Sequence, residues 1–259
     1  MKISKMTNDF MNDKDSVFID KQTVNLPISH RFYTLAQALA DYKGVDILPY
    51  TDNNELLTGL VREGAIKHYQ KLLNDSPPPQ ACVLIVITDE PTPKLLLTRR
   101  SNRLSSHAGE VSLVGGKRDD TDKSSAEVAL REACEEVGLV GADAQILGYL
   151  PMQISKKGLL VRPVVACVGA EVVDKLVPSE DEIARLFWLP FDVLYGTPVD
   201  FVFDRQITNS TAKLHTPAWV YDCDDDGIPE VVWGLTGRIL SSLMEIGFGV
   251  GHEWYYRVR

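Results

Sequence analysis

The sequence predicts a mixed α/β domain, and three stretches are the basis of that prediction. Residues 81–88, ACVLIVIT, form a continuous apolar run of the kind found in strands covered on both faces. Residues 55–74 place apolar side chains at helical spacing, and residues 115–139 end in a short amphipathic helix with three glutamates. A chain rich in strands with two clear helices is compatible with a sheet packed against helices.

Composition excludes several classes of protein. A chain of 259 residues can bury a sizeable core, and its net charge of −9 argues against a nucleic-acid partner, which requires a basic surface. Four cysteines occur without CxxC spacing, which is typical of reduced packing residues rather than of a disulfide or zinc framework. Because no apolar run approaches the length of a membrane span and the polar amino terminus lacks a signal-peptide core, we expect a cytoplasmic protein without a membrane partner.

The amino-terminal part divides into two segments before the main domain. Residues 1–54 show no sustained period and are interrupted by Pro27 and Pro49, so we interpret them as an extension that is partly disordered or wraps the domain. Residues 55–79 form an amphipathic helix, packed on the domain or on a second copy, and a stiff triple-proline link. The compact domain is then predicted to occupy residues 80–259.

Beyond the first strand, apolar runs of strand length, separated by residues typical of turns, predict further strands. A hairpin partner is expected at residues 94–98, and a Ser-Lys-Lys-Gly turn separates the next two strands. The acidic run 224–227 is interpreted as a hairpin tip, since it lacks the pattern of a calcium loop. The later predicted elements are strands within 144–152, 159–168, 201–203 and 218–221 and a helix that opens at 232–240.

The helix near residue 132 concentrates negative charge. Glu132, Glu135 and Glu136 follow at spacings of three and four, so their carboxylates project from one side and repel each other. A divalent cation bound by these oxygens explains the arrangement, and a solvated acidic face is the alternative. The glycine pair 115–116 at the start of the segment and Gly138 after the helix favour the first interpretation, because glycines allow close approach and positive φ.

At this point the residues resemble a known family. Arg131 to Leu139, REACEEVGL, resembles the second half of the Nudix box. The first half departs slightly from the family pattern. Asp122 replaces the expected glutamate, and the spacing from Asp122 to Arg131 is one residue longer than the pattern has. That variant resembles the coenzyme A pyrophosphatase branch of the family.

A second signature of that branch precedes the box. It reads Leu-Leu-Thr-x-Arg-Ser, then glycine, then a glycine pair, and it is matched at Leu96, Leu97, Thr98, Arg100, Ser101, Gly109, Gly115 and Gly116. Ser105 stands where the signature has arginine, and Leu113-Val114 replace Phe-Pro. The Trp-Gly-Leu-Thr segment 233–236 also resembles the branch, so the resemblance extends from about residue 80 to residue 246.

The resemblance implies a Nudix α/β/α sandwich with a mixed β-sheet, and it implies a metal-dependent hydrolase. The implied cofactor is Mg²⁺ or Mn²⁺, bound by Gly116 through its carbonyl and by Glu132, Glu135 and Glu136. The implied catalytic residues are Glu132, Glu135 and Glu182, where either Glu132 or Glu182 can be the general base. The expected substrate-binding residues are Arg99, Arg100, Ser101, Gly109 and Gly115. A homodimer is a further expectation from the family.

Two residues have competing interpretations. Glu182, in a Glu-Ile pair before an aromatic strand end, is either a further carboxylate at the box or part of a capping box with Ser179. His107 is expected to order the loop before Gly109 rather than to act in catalysis.

The implied reaction is hydrolysis of the pyrophosphate of coenzyme A or acyl-CoA to 3',5'-ADP and 4'-phosphopantetheine. Because serine at position 105 cannot make the bidentate phosphate contact of an arginine, ADP-ribose, NADH or another dinucleotide is the alternative substrate. A nucleotide-binding module without turnover is the second alternative. The complete Arg-Glu and Glu-Glu pairs argue against that module.

Overall fold

The computed structural model describes residues 29–48, 59–101, 109–207, 210–223 and 228–258. In these residues the α-helices are α1 (His30–Asp41), α2 (Gly59–Asp75), α3 (Ser125–Val137) and α4 (Gly234–Phe248). The strands are β1 (Ile47–Leu48), β2 (Ala81–Asp89), β3 (Lys94–Arg100), β4 (Val111–Ser112), β5 (Val114–Lys117), β6 (Ala144–Tyr149), β7 (Met152–Ile154), β8 (Leu160–Gly169), β9 (Ile183–Pro190), β10 (Val199–Ile207), β11 (Ser210–Tyr221), β12 (Glu230–Val232) and β13 (Arg257–Val258). Short 3-10 turns occur at Gly141–Asp143, Ala170–Lys175 and Phe191–Tyr195.

The central sheet is mixed. Its strand order is β1-β7-β8-β2-β3-β4, with β5 paired to β2, β6 to β8 and β9 to β3. Strands β2 and β8 run parallel, from Ala81 opposite Val161 to Asp89 opposite Gly169, whereas β3 and β9 are antiparallel. Strands β10, β11, β12 and β13 form a second, antiparallel sheet.

Hydrophobic clusters cover both faces of the central sheet. Cys82, Leu84 and Val86 of β2 belong to the cluster that also contains the buried face of α3. Ile85 and Ile87 point the other way and pack in the cluster that contains α1 and α4, because successive strand residues face opposite sides. The predicted α/β/α sandwich with a strand buried on both faces is therefore confirmed.

The segment before the domain is more ordered than its sequence pattern indicated. Two elements were not predicted from the sequence: α1, whose apolar stripe packs in the core, and β1, which pairs in parallel with β7. The amphipathic helix predicted from residue 55 onward is confirmed as α2, although residues 55–58 lie outside the described residues. Tyr69 and Leu72 of α2 pack beside Ile47, and the Tyr69 hydroxyl donates to the Ile47 carbonyl at 3.0 Å. The boundaries at 54 and 79 remain predictions.

The other predicted elements have mixed outcomes. The hairpin partner of β2 is β3, and the predicted turn after Ser155 closes with the Gly158 N–H donating to the Ser155 carbonyl at 2.8 Å. The strand expected within 144–152 is divided into β6 and β7. Strands β10 and β11 and helix α4 occur where expected, while the acidic tip 224–227 lies outside the described residues. Among the helices described, none is long and apolar enough to cross a bilayer.

Candidate active site

Helix α3 is defined by its caps and its apolar face. The Ser124 hydroxyl accepts from the Glu127 N–H at 3.2 Å, and the Glu127 carboxylate accepts from the Lys123 N–H at 2.7 Å. This reciprocal cap was missed, although serine followed by glutamate three residues later is its sequence signal. Gly138 ends the helix at φ 70°, as predicted. Val128, Ala129, Ala133 and Val137 are buried against the sheet, which leaves the acidic side of the helix toward the β5 strand.

Glu136 is a buried carboxylate at the centre of the site. Its side chain is only 6% exposed, and one oxygen accepts from the Gly115 N–H at 3.0 Å. The Arg100 guanidinium lies 3.8 Å from the other oxygen. Burial raises the pKa of Glu136 to about 7; the Gly115 N–H and Arg100 oppose this rise, and the charges of Glu132 and Glu182 add to it. Burial is the main cause, so this carboxyl keeps its proton to near neutral pH unless a cation lies beside it.

The glycine pair allows two close approaches. Gly115 has φ 148°, and a Cβ atom there would overlap the Cys82 carbonyl of β2. A Cβ atom on Gly116 would overlap the Glu132 carboxylate, which therefore lies directly against the Gly116 backbone. Burial raises the pKa of Glu132, an effect that Arg131 opposes and that the charges of nearby glutamates reinforce. The sequence expectation that backbone comes close to a partner at this pair is met.

Arg131 organises the remaining acidic groups. Its guanidinium donates to both oxygens of Asp122 at 3.2 and 3.1 Å and to the Lys117 carbonyl at 2.9 Å. It also donates to Glu132 at 3.0 Å and to Glu135 at 3.3 Å. Hydrogen bonding to Arg131 lowers the pKa of Asp122, whose side chain is 6% exposed. Asp122 thus anchors Arg131, although the two residues are one position farther apart in the sequence than in the family pattern. Glu135 remains 60% exposed at the edge of the site.

Glu182 lies on the turn that leads into β9. The Ile183 N–H donates to the Ser179 carbonyl at 2.8 Å and closes a single turn, and the strand begins at once. The Ser179 N–H donates to the Glu136 carbonyl at 2.8 Å, which joins this turn to the end of α3. The charge of Glu182 raises the pKa of both Glu132 and Glu136. The turn at Ser179 is held by backbone hydrogen bonds, with none of the described hydrogen bonds forming the side-chain capping box, and the role of Glu182 as a further carboxylate stays a prediction.

The predicted substrate-binding residues separate into two groups. Arg100 lies beside Glu136, the Ser101 N–H donates to the Glu182 carbonyl at 2.8 Å, and Gly109 has φ 72° with its N–H donating to the Arg100 carbonyl. Arg99 instead points to the opposite face of β3. There its guanidinium binds Glu230 of β12.

Glu230 is a charged residue that sequence reasoning missed. Its carboxylate is 1% exposed and accepts from Arg99 at 2.9 and 2.7 Å, while Arg185 lies 3.4 Å away. The only local sequence feature that could indicate a buried charge here is an acidic residue directly before the apolar pair Val231-Val232. Its partner is 131 residues distant in sequence. Arg103, Ser105 and His107 lie outside the described residues.

The comparison with protein families identifies the chain. A model described as the NUDIX domain matches residues 78–209, just over half of the 259 residues, and this range includes the glycine pair, α3 and Glu182. The chain belongs to the Nudix family. This confirms the predicted Nudix fold and the expected class of enzyme, a Nudix hydrolase.

Several relatives carry the name of an uncharacterized Nudix hydrolase, NudL. The relative from Pectobacterium atrosepticum is 40% identical over 164 residues, which cover 63% of this chain and 80% of that protein. The relative from Escherichia coli K12 is 35% identical over 150 residues, covering 58% and 72%. Among solved structures, a Caenorhabditis elegans Ap4A hydrolase aligns with a TM-score of 0.37 at 18% identity, over 43% of this chain and 80% of that one.

The Nudix carboxylates are suited to a hard cation, although they are not arranged as a closed centre. In the described part of the chain, no three acidic, histidine or cysteine side chains converge closely enough to hold a metal ion as placed. Arg131 pairs with Glu132 and Glu135, which draws these two groups toward the guanidinium. The donor chemistry nevertheless fits Mg²⁺ or Mn²⁺, because carboxylate and carbonyl oxygens are the ligands these ions prefer.

Proposed function

We propose that this Nudix protein is a metal-dependent pyrophosphatase that cleaves coenzyme A or acyl-CoA to 3',5'-ADP and 4'-phosphopantetheine. The observation that supports hydrolysis best is the buried Glu136 carboxylate, whose pKa rises to about 7 beside two further glutamates. A buried carboxyl of this kind ionises more readily beside a cation, and neighbouring carboxylate oxygens are the ligands that a divalent cation prefers. The substrate is proposed from the Leu-Leu-Thr-x-Arg-Ser segment that ends at Ser101 and from the Trp-Gly-Leu-Thr segment after β12.

The proposed metal ligands are the carbonyl of Gly116 and the carboxylates of Glu132, Glu135 and Glu136. When bound, Mg²⁺ or Mn²⁺ neutralises charge on the phosphate oxygens and lowers the pKa of a water molecule. The contact of the Glu132 carboxylate with the Gly116 backbone supports this set, since it brings two of the proposed ligands together. Glu135 fits least well, because it is exposed and paired with Arg131.

The side chains of the protein position the reacting groups and accept the proton. The Gly115 N–H fixes one Glu136 oxygen, and Arg131 holds Glu132 in a geometry that Asp122 anchors. Either Glu132 or Glu182 is proposed as the general base. The raised pKa of Glu132 favours it as a proton acceptor, because a base is most effective when its pKa approaches the working pH.

Arg100 is the better candidate of the two adjacent arginines for a substrate phosphate. Its guanidinium lies beside Glu136 at the carboxylate cluster, and its side chain is 24% exposed. Arg99 contacts the buried Glu230 on the other face of the strand, and this contact supports a role in holding the end of β3 against β12. Ser101, Gly109 and Gly115 are proposed to shape the backbone around the same phosphate.

The alternative substrate class is ADP-ribose, NADH or another dinucleotide. The observation that favours it is Ser105, which cannot replace the bidentate contact of an arginine with phosphate. A panel of coenzyme A, acyl-CoA, NADH and ADP-ribose, incubated with Mg²⁺ or Mn²⁺ and analysed for products, decides between the two classes. Release of 3',5'-ADP from coenzyme A supports the proposal. Cleavage of only the other dinucleotides would refute the substrate assignment.

The same panel needs a matched pair of variants. Glu136→Gln removes a proposed metal ligand, whereas Glu127→Gln changes an exposed carboxylate on the same helix and retains an acceptor for the cap. We expect the first variant to lose turnover and the second to retain it. Binding of a nucleotide without any turnover, unchanged in Glu136→Gln, would support the binding module instead.

A further inference from the structure

Two hydroxyl groups form a pair on the face of the central sheet that packs against α3. Thr98 of β3 lies directly opposite Ser112 of β4, and the Thr98 hydroxyl is 3.2 Å from both the hydroxyl and the carbonyl oxygen of Ser112. Leu96, two residues before Thr98, and Val114, two residues after Ser112, belong to the hydrophobic cluster that contains α3. Because side chains alternate along a strand, both hydroxyls lie on the α3 side of the sheet.

The two hydroxyls differ in exposure. Thr98 is fully buried, whereas Ser112 is only partly buried. Either hydroxyl can donate within the pair, and Thr98 can also donate to the Ser112 carbonyl. Thr98 therefore keeps an acceptor when the Ser112 hydroxyl turns toward another partner, which avoids the cost of a buried hydroxyl without a hydrogen bond. Ser112 can thus donate to a ligand while Thr98 stays paired.

Arg100 connects this pair to the carboxylates of α3. It follows Thr98 by two residues on the same face of β3, and its guanidinium lies 3.8 Å from Glu136. The pairing of β3 with the chain before β4 continues to this point, because the Arg100 N–H donates to the Glu110 carbonyl at 3.1 Å. Arg100 and Ser112 are therefore diagonal neighbours, which lie about 7–8 Å apart in antiparallel pairs. A phosphate that accepts hydrogen bonds of about 2.8 Å on two sides can bridge such a pair, since the arginine side chain is long.

Two other arginines near the carboxylates are already engaged. Arg131 donates to three carboxylates, and Arg99 binds Glu230 on the opposite face of β3. A hydroxyl beside Arg100 adds a donor for phosphate without adding a charge that the carboxylates would attract. Hydrogen bonds to a charged acceptor are also stronger than those between neutral groups. Ser112 is therefore suited to an anionic ligand at this acidic site.

We propose that Ser112 is a substrate-binding residue, whose hydroxyl donates to an oxygen of the substrate pyrophosphate beside Arg100. This inference rests on the proposed function and adds a second donor to the phosphate site at Arg100. The N–H of Gly115, three residues after Ser112, donates to Glu136 at 3.0 Å. The short segment that carries the hydroxyl therefore also fixes a proposed metal ligand.

The test measures binding without turnover. Calorimetry with Mg²⁺ gives the Kd of ADP and of inorganic pyrophosphate for the wild type, Ser112→Ala and Ser112→Thr. Loss of a hydrogen bond to a charged group weakens binding about 10- to 150-fold. We expect that increase in both Kd values for the alanine variant and a smaller one for the threonine variant, which keeps a hydroxyl. The Kd of Mg²⁺ alone should be the same in all three proteins.

Thr236→Val is the matched control. The Thr236 hydroxyl donates to the Val111 carbonyl at 3.1 Å, so this variant removes a hydroxyl that contacts β4 from the side of α4. An equal rise in Kd in Thr236→Val would assign the effect to a displaced β4 and overturn the proposal. An unchanged Kd of pyrophosphate in Ser112→Ala, no binding of pyrophosphate by the wild type, or a parallel loss of Mg²⁺ affinity would also overturn it.

The turnover panel tests the proposed function separately. A loss of pyrophosphate binding in Ser112→Ala with unchanged Mg²⁺ binding supports the phosphate contact even if coenzyme A is not cleaved. Cleavage of coenzyme A together with an unchanged Kd of pyrophosphate in Ser112→Ala would support the function and refute the role of Ser112.

Discussion

Replacing Glu136 with glutamine is predicted to stabilise the metal-free protein at neutral and alkaline pH. The folded protein raises the pKa of this carboxyl from 4.5 to about 7, so it binds the proton more tightly than the unfolded chain does. The free energy of unfolding therefore falls as the pH rises from about 4.5 to about 7. Glutamine cannot ionise and avoids this loss, while its side-chain oxygen can still accept from the Gly115 N–H.

The magnitude follows from the two pKa values. Each tenfold change in proton affinity corresponds to about 1.4 kcal/mol, so a pKa change from 4.5 to about 7 corresponds to about 3 kcal/mol. Below about pH 4.5 both proteins carry a neutral group at this position and should have similar stability. At pH 8 the variant should be the more stable by about 3 kcal/mol in the absence of metal.

Chemical denaturation at pH 4.5 and pH 8 in the presence of a chelator measures this difference. Glu127→Gln is the control, because that side chain is exposed. Excess Mg²⁺ should reverse the order at pH 8, since a ligand that binds the folded state stabilises it and the variant lacks one of the proposed metal ligands. A variant no more stable than the wild type at pH 8, or a difference that does not depend on pH, would refute the reasoning.

Three other substitutions test the contacts of the site. Gly116→Ala places a methyl group where the Glu132 carboxylate lies, and we expect at least a tenfold lower kcat with the fold retained, measured by steady-state kinetics and circular dichroism. Asp122→Asn weakens the anchor of Arg131 and should lower kcat about tenfold with a smaller change in KM; equal kinetics would contradict that role. Glu230→Gln leaves Arg99 and Arg185 without their carboxylate and should lower the free energy of unfolding by about 3 kcal/mol. Chemical denaturation measures this loss, and an unchanged free energy of unfolding would show that the ion pairs contribute little.

Local sequence patterns predicted the elements that depend on local physics. The apolar run of β2 indicated a strand covered on both faces, and the sheet buries it between α3 and the pair α1 and α4. The spacing of the glutamates and the position of Gly138 predicted α3 and its end. Phe32, Leu35, Ala36 and Leu39 also follow helical spacing, but the stripe is short and lies beside irregular sequence, so α1 was missed.

Contacts between distant segments were not accessible from the sequence. The pairing of Arg99 with Glu230 joins residues 131 positions apart, and no local rule connects a charge on β3 with one on β12. Opposite orientations of Arg99 and Arg100 follow only once β3 is placed between two packed layers. The resemblance to the Nudix box named the carboxylates, yet the anchoring of Arg131 by Asp122 required the fold of the loop before α3.

The most direct test of the central claim is the rate at which 3',5'-ADP is released from coenzyme A as the Mg²⁺ concentration is varied. We predict saturable, Mg²⁺-dependent release by the wild-type protein and by Glu127→Gln, with a loss of at least a hundredfold in Glu136→Gln. Intact coenzyme A at every Mg²⁺ concentration, or equal rates for the wild type and Glu136→Gln, would contradict the assignment of this carboxylate cluster as a metal-dependent pyrophosphatase site.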